Sequence, residues 1–100
     1  MSTKTLLDGK LTTGAGSWFT VNKNVFSVQC DLDDTTTPEA TVYVQWTCDG
    51  GDSYHNIGTF ALSGALDKDL ATFNMAPGDI RLYVNAISGT SAAVNGKVRY

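Results

Sequence analysis

The chain is poor in charge and poorer still in the side chains that usually run chemistry. Asp, Glu, Lys and Arg make up 17% of its 100 residues, where about 25% is ordinary. His55 is the sole histidine, and Cys30 and Cys48 are the two cysteines. A histidine-dependent triad needs a nucleophile and an acid beside the ring, and no Gly-x-Ser-x-Gly elbow marks such a nucleophile. A zinc site wants more ligands at closer spacing than two separated cysteines provide. Gly14-Ala15-Gly16 lacks both the third glycine of a dinucleotide fingerprint and the lysine of a phosphate loop. The seven basic residues are scattered and the net charge is −3, so no basic stripe exists to follow a nucleic-acid backbone. No apolar run is long enough for a signal peptide or a membrane span. The expectation is a non-enzymatic protein without metal or cofactor, made in a cytoplasm without a signal peptide, and binding neither nucleic acid nor membrane.

What is abundant is strand and turn chemistry. Phe26, Val28, Cys30 and Leu32 alternate with polar residues, as do Val42, Val44, Trp46 and Cys48. Ile80, Leu82, Val84 and Ala86 repeat the pattern, and Ala92, Val94, Val98 and Tyr100 close the chain on one face. A period of two is the mark of a strand with one apolar side. Weaker strands are expected over residues 5–11, 18–21, 55–62 and 70–75, with a bulge near Gly58, where the alternation breaks. Turns are expected at residues 13–17, 33–39, 49–53, 63–64, 76–79 and 88–91. Asp49-Gly50-Gly51-Asp52 is the strongest hairpin signal, because glycine supplies the positive φ that tight turns need. Residues 62–71 are the best stretch for a helix, yet no apolar period of 3.6 is sustained anywhere.

Seven to eight short antiparallel strands in one domain predict an all-β, immunoglobulin-like β-sandwich. Residues 14–100 would form the sandwich and residues 1–13 an N-terminal arm or edge strand. Trp46 is expected in the core, and the phase of Cys30 and Cys48 makes both buried small hydrophobes. Whether the two bond to each other stays open. The acidic groups Asp31, Asp33, Asp34 and Glu39, and Asp49 and Asp52, read as solvated loops. Neither follows the EF-hand pattern a calcium loop requires. His55 is expected at the surface or a strand rim. Tyr43 and Tyr83 lie out of phase with the core residues of their strands. If the two strands share a sheet, they make an exposed aromatic patch suited to a partner protein or a sugar ring.

Three stretches carry a resemblance: Gly16-Ser17-Trp18-Phe19-Thr20-Val21, residues 40–51 (ATVYVQWTCDGG) and residues 79–91 (DIRLYVNAISGTS). In that order they resemble the small β-sandwich proteins encoded among the structural genes of tailed bacteriophages, over residues 16–100. The resemblance implies a virion component, most simply a capsid decoration (cement) protein. It would be a homotrimer on the capsid exterior that binds the major capsid protein and clamps neighbouring capsomers. Tyr43, Tyr83 and Trp18 would then serve contact, and Leu6 and Leu7 would sit on an arm that pairs with a neighbouring subunit or the shell. The alternatives are a tail, neck or fibre-associated virion module, or a carbohydrate-binding module that stacks sugars on Tyr43, Tyr83 or Trp18.

Overall fold

A computed structural model describes residues 2–33, 38–64, 66–89 and 92–100. Among the described residues there are nine strands and no helix: β1 Thr3–Lys10, β2 Gly14–Ala15, β3 Phe19–Val21, β4 Val25–Asp33, β5 Glu39–Thr47, β6 His55–Ser63, β7 Lys68–Asn74, β8 Gly78–Ser88 and β9 Ala93–Arg99. Every pairing is antiparallel. One sheet runs β1-β9-β4-β7 and the other β2-β8-β5-β6, with β3 also on β8. The stretch weighed as a helix instead closes β6 and opens β7 around Gly64, whose φ of +93° suits a turn. The turns expected at residues 33–39 and 88–91 fall partly on residues 34–37 and 90–91, outside the described residues.

β2 and β3 occupy successive stretches of the same side of β8, so they act as one interrupted edge strand. Counted so, the first strand pairs with the last, and the sheets read 1-8-3-6 and 2-7-4-5. In an immunoglobulin domain the first strand pairs with the second. The sandwich is therefore as expected, and the order of strands within it is that of a jelly roll, the eight-stranded double Greek key. One consequence concerns residues 1–13. β1 is an edge strand of the chain's own sandwich, hydrogen-bonded to β9.

The core lies between the sheets, where Val28, Leu32, Val94 and Val98 meet Val42, Val44, Ile80, Leu82 and Val84, all fully buried. Each such side chain contributes about 1.5–3 kcal/mol of burial. Phe26 stacks on Phe73, with centroids 5.5 Å apart. Among the described residues four register shifts interrupt the pairing, one in β8, one in β6 and two in β1, the second of these between Leu7 and Lys10. Opposite β5, Thr41 faces Ala86 and Val42 faces Val84, so Asn85 is an extra residue. Beyond it Ala86 turns outward and Ile87 packs against the core, a correction to the phase expected for Ala86. In β6, Gly58 faces Val44 and Asn56 faces Gln45, so Ile57 is extra, at the break expected near Gly58. In β1, Thr5 faces Lys97 and Leu7 faces Gly96, which makes Leu6 extra. That slip lets two consecutive leucines enter the core.

Candidate functional site

The outer face of the five-stranded sheet gathers most of the aromatic side chains that do not fill the core. β5 and β8 present Tyr43 opposite Tyr83 and, two residues along, Gln45 opposite Arg81. Residues two apart on a strand share a face, so these four form two adjacent rows. The tyrosine rings stack at a centroid distance of 6.4 Å, with planes 8° apart. Both are half-buried. The aromatic patch expected from Tyr43 and Tyr83 is thus assembled, because their strands are neighbours in one sheet.

The second row is covered. Trp18, just before β3, and Tyr54, just before β6, lie 6.4 Å apart and tilted at 54°. The Arg81 guanidinium fills the corner between them, 4.3 Å from the Trp18 ring and 5.0 Å from that of Tyr54. Such cation–π contacts strengthen when partly shielded from water. Arg81 Nε donates to Gln45 Oε1 at 2.7 Å, and Gln45 Nε2 donates to Asn56 Oδ1 at 3.0 Å. Gln45 is only 4% exposed although it points away from the core. A buried amide must be satisfied, and here both ends of it are.

The β5–β6 hairpin holds this corner in place. Thr47, at the end of β5, is fully buried under it. Its hydroxyl accepts from the amides of Asp49 and Gly51 at 3.3 and 3.1 Å, and lies 2.6 Å from the Ser53 carbonyl. Asp49 Oδ1 accepts from the Ser53 amide at 3.0 Å and lies 2.7 Å from the Thr47 hydroxyl. The Ser53 amide, and then the Thr47 hydroxyl, hold the Asp49 carboxyl below the ordinary carboxylate range. Gly51 takes φ +100° and turns its bare Cα to Trp18. A Cβ there would lie 2.7 Å from the indole Nε1. The loop expected as a hairpin is also the wall against which Trp18 packs.

The remaining residues singled out in the sequence fall elsewhere. Leu6 and Leu7 are buried in the chain's own core, so the contact role expected of them is corrected: the bulge in β1 turns both inward. Cys30 is buried and Cys48 exposed, and neither is bonded to the other. β5 ends at Thr47, which leaves Cys48 in the bend beyond the last inward position, a correction to its expected burial. Burial, helped by Asp31 and Asp69, pushes the Cys30 thiol up to about 12. Trp46 shares the inner side with Ile80, its partner on β8, and packs half-buried against the core at its rim. His55 is exposed at the start of β6, its ring 6.4 Å from that of Trp46. Among the described residues no group of three or more His, Cys, Asp or Glu side chains is arranged to hold a metal ion. Asp34 lies outside them, and Asp31 accepts a hydrogen bond from Asn95 Nδ2 at 2.8 Å.

Sequence reasoning missed Arg81, Gln45 and Tyr54. The signal for Arg81 was present, since it stands two residues before Tyr83 on an alternating strand. Tyr54 had none, because it follows a loop whose path sets its direction. The assembled face offers aromatic area at little cost in side-chain freedom, plus one oriented cation, which is the equipment of a recognition surface. Compared with protein-family models, curated proteins and solved structures, the chain matches none.

Proposed function

We propose that this chain is a non-enzymatic structural protein of a tailed-bacteriophage virion, a capsid decoration protein that binds the major capsid protein on the outside of the head. The observation that carries the reading is the preordered aromatic and arginine face on the outer side of β5 and β8. Its rings are fixed by stacking and by the hairpin, so little conformational entropy remains to be lost on docking. The resemblance of residues 16–100 to small phage β-sandwich proteins points the same way. The jelly roll is an architecture of viral capsid domains and of lectins, and architecture alone does not assign a role. β1, β7 and β6 also leave backbone edges at the sides of the sheets, where neighbouring copies could add strands. A homotrimer would multiply weak contacts through symmetry.

The test is the mass in solution by light scattering, followed by mixing with heads that lack the protein. A trimer of three 10.7 kDa chains that binds heads supports the reading. A monomer that ignores them overturns it. The near-parallel tyrosine pair favours a second reading, in which the same face stacks sugar rings. A glycan array decides that case: retention on one sugar class, abolished in Tyr43→Ala, would replace the capsid with a carbohydrate.

A further inference from the structure

The Arg81 corner is more specific than a general contact surface needs. Its cation is half-buried against two rings and aligned by Gln45. The bond from Nε to Gln45 leaves the distal Nη edge as the part of the guanidinium fork that this bond does not use. The carboxylates nearest along the strands are engaged elsewhere. Asp79, two residues before Arg81, accepts from Thr20 Oγ1 at 2.6 Å. Asp49 is held by the Ser53 amide and the Thr47 hydroxyl. The side chain that Arg81 Nε bonds, Gln45, is uncharged.

We propose that Arg81, set in the corner of Trp18 and Tyr54, is the anchor for a single Asp or Glu side chain of a partner protein, and that Tyr43 and Tyr83 receive the apolar surroundings of that side chain. The inference rests on the reading of this face as a protein-docking surface and names the partner's chemistry. Charge complementarity carries it. An arginine fork matches a carboxylate with two parallel hydrogen bonds, and the Trp18 and Tyr54 rings cover part of the half-buried guanidinium, which strengthens the pair over one in open water. The choice of a carboxylate on a mainly uncharged protein surface, rather than a polyanion, follows from the net charge of −3. A nucleic acid or an anionic membrane would be repelled by the rest of the chain, whereas a lone carboxylate meets the local cation. The tyrosine row next to Arg81 carries no charge to compensate, so the matching surface around the carboxylate is apolar or aromatic.

Two experiments on the full chain test this. In the first, ¹H–¹⁵N spectra follow the Arg81 Nε–H and Trp18 Nε1–H signals during titration with N-acetylglutamate methylamide, with N-acetylglutamine methylamide as the uncharged control and methyl β-glucoside as the sugar. Saturable shifts with the acid alone are expected, with affinity in the millimolar range typical of one ion pair. Shifts with the sugar alone, or with none of the three, overturn the proposal. In the second, heads lacking the protein are titrated with wild type, Arg81→Gln, Arg81→Lys and, on the opposite sheet, Lys97→Gln. Removing one partner of a shielded pair weakens binding about 100-fold. Lysine, a point charge without the fork, restores it only in part, and Lys97→Gln binds as wild type. Equal binding of Arg81→Gln and wild type overturns the anchor while leaving the decoration role intact. If wild type ignores heads but the acid shifts Arg81 and Trp18, the carboxylate site stands and the capsid reading fails.

Discussion

Tyr43 on β5 and Tyr83 on β8 stand directly opposite one another, rings stacked 6.4 Å apart on the solvent side of the sheet. Cross-strand aromatic pairs support the sheet as well as any partner they meet. Urea melts of Tyr43→Ala, Tyr83→Ala and the double variant separate the two roles. A coupling of about 0.5–1 kcal/mol is expected. If the single effects simply add, the rings contribute nothing to each other, and their arrangement serves binding alone.

Gly51 and Gly50 form a matched comparison. Both have positive φ, +100° and +76°, but only Gly51 faces the Trp18 indole, while nothing lies within 4 Å of a Cβ on Gly50. Gly50→Ala meets backbone strain, about 1 kcal/mol. Gly51→Ala adds displacement of Trp18, for a loss of about 2–3 kcal/mol. Tryptophan fluorescence should change in Gly51→Ala and stay as wild type in Gly50→Ala. An unchanged spectrum in both would mean that the hairpin does not position the indole.

Gly96 is the small residue that lets β9 lie over Leu82. A Cβ there would overlap Leu82 Cδ1. Gly96→Ala should therefore cost about 1–3 kcal/mol by overpacking. Leu82→Val, placed on top of Gly96→Ala, should cost less than Leu82→Val alone, since the shorter side chain clears the new methyl group. Denaturant midpoints of the four proteins give the answer, and strict additivity would place the strain elsewhere.

The two cysteines should behave as opposites. A thiol reagent near pH 8 should label Cys48 quickly and Cys30 only on unfolding. Because folding raises the Cys30 thiol from 9.0 to about 12, the unfolded chain releases its proton first. Stability is thus fully present below pH 9 and falls as pH rises from there towards 12. Cys30→Ala should flatten that part of the pH–stability curve, and a curve of unchanged slope would show that the thiol does not titrate there.

Much of the fold was legible because strand alternation is local. The runs around Val28, Val44, Leu82 and Val94 announce their buried faces from neighbours two residues away, and the glycines at 50 and 51 mark their hairpin. The positions read wrongly have two causes, an inserted residue for Ala86 and Leu7 and the end of a strand for Cys48. Ala86 follows the extra residue Asn85, Leu7 follows the extra residue Leu6, and Cys48 follows the last residue of β5. A single inserted residue reverses every side chain beyond it, and its insertion is decided by the partner strand, which for β8 and β1 lies far away in sequence.

By itself, then, the sequence determined an all-β sandwich, its main strands and hairpin, and the outward phase of Tyr43 and Tyr83. Only the tertiary structure decided that the first strand pairs with the last, that Leu6 and Leu7 turn inward, and that Trp18, Tyr54, Gln45 and Arg81 converge. The first set follows from side-chain periodicity along one strand. The second depends on which strands lie side by side and on the path of a loop between them, and those are set by the packing of the whole chain around one core.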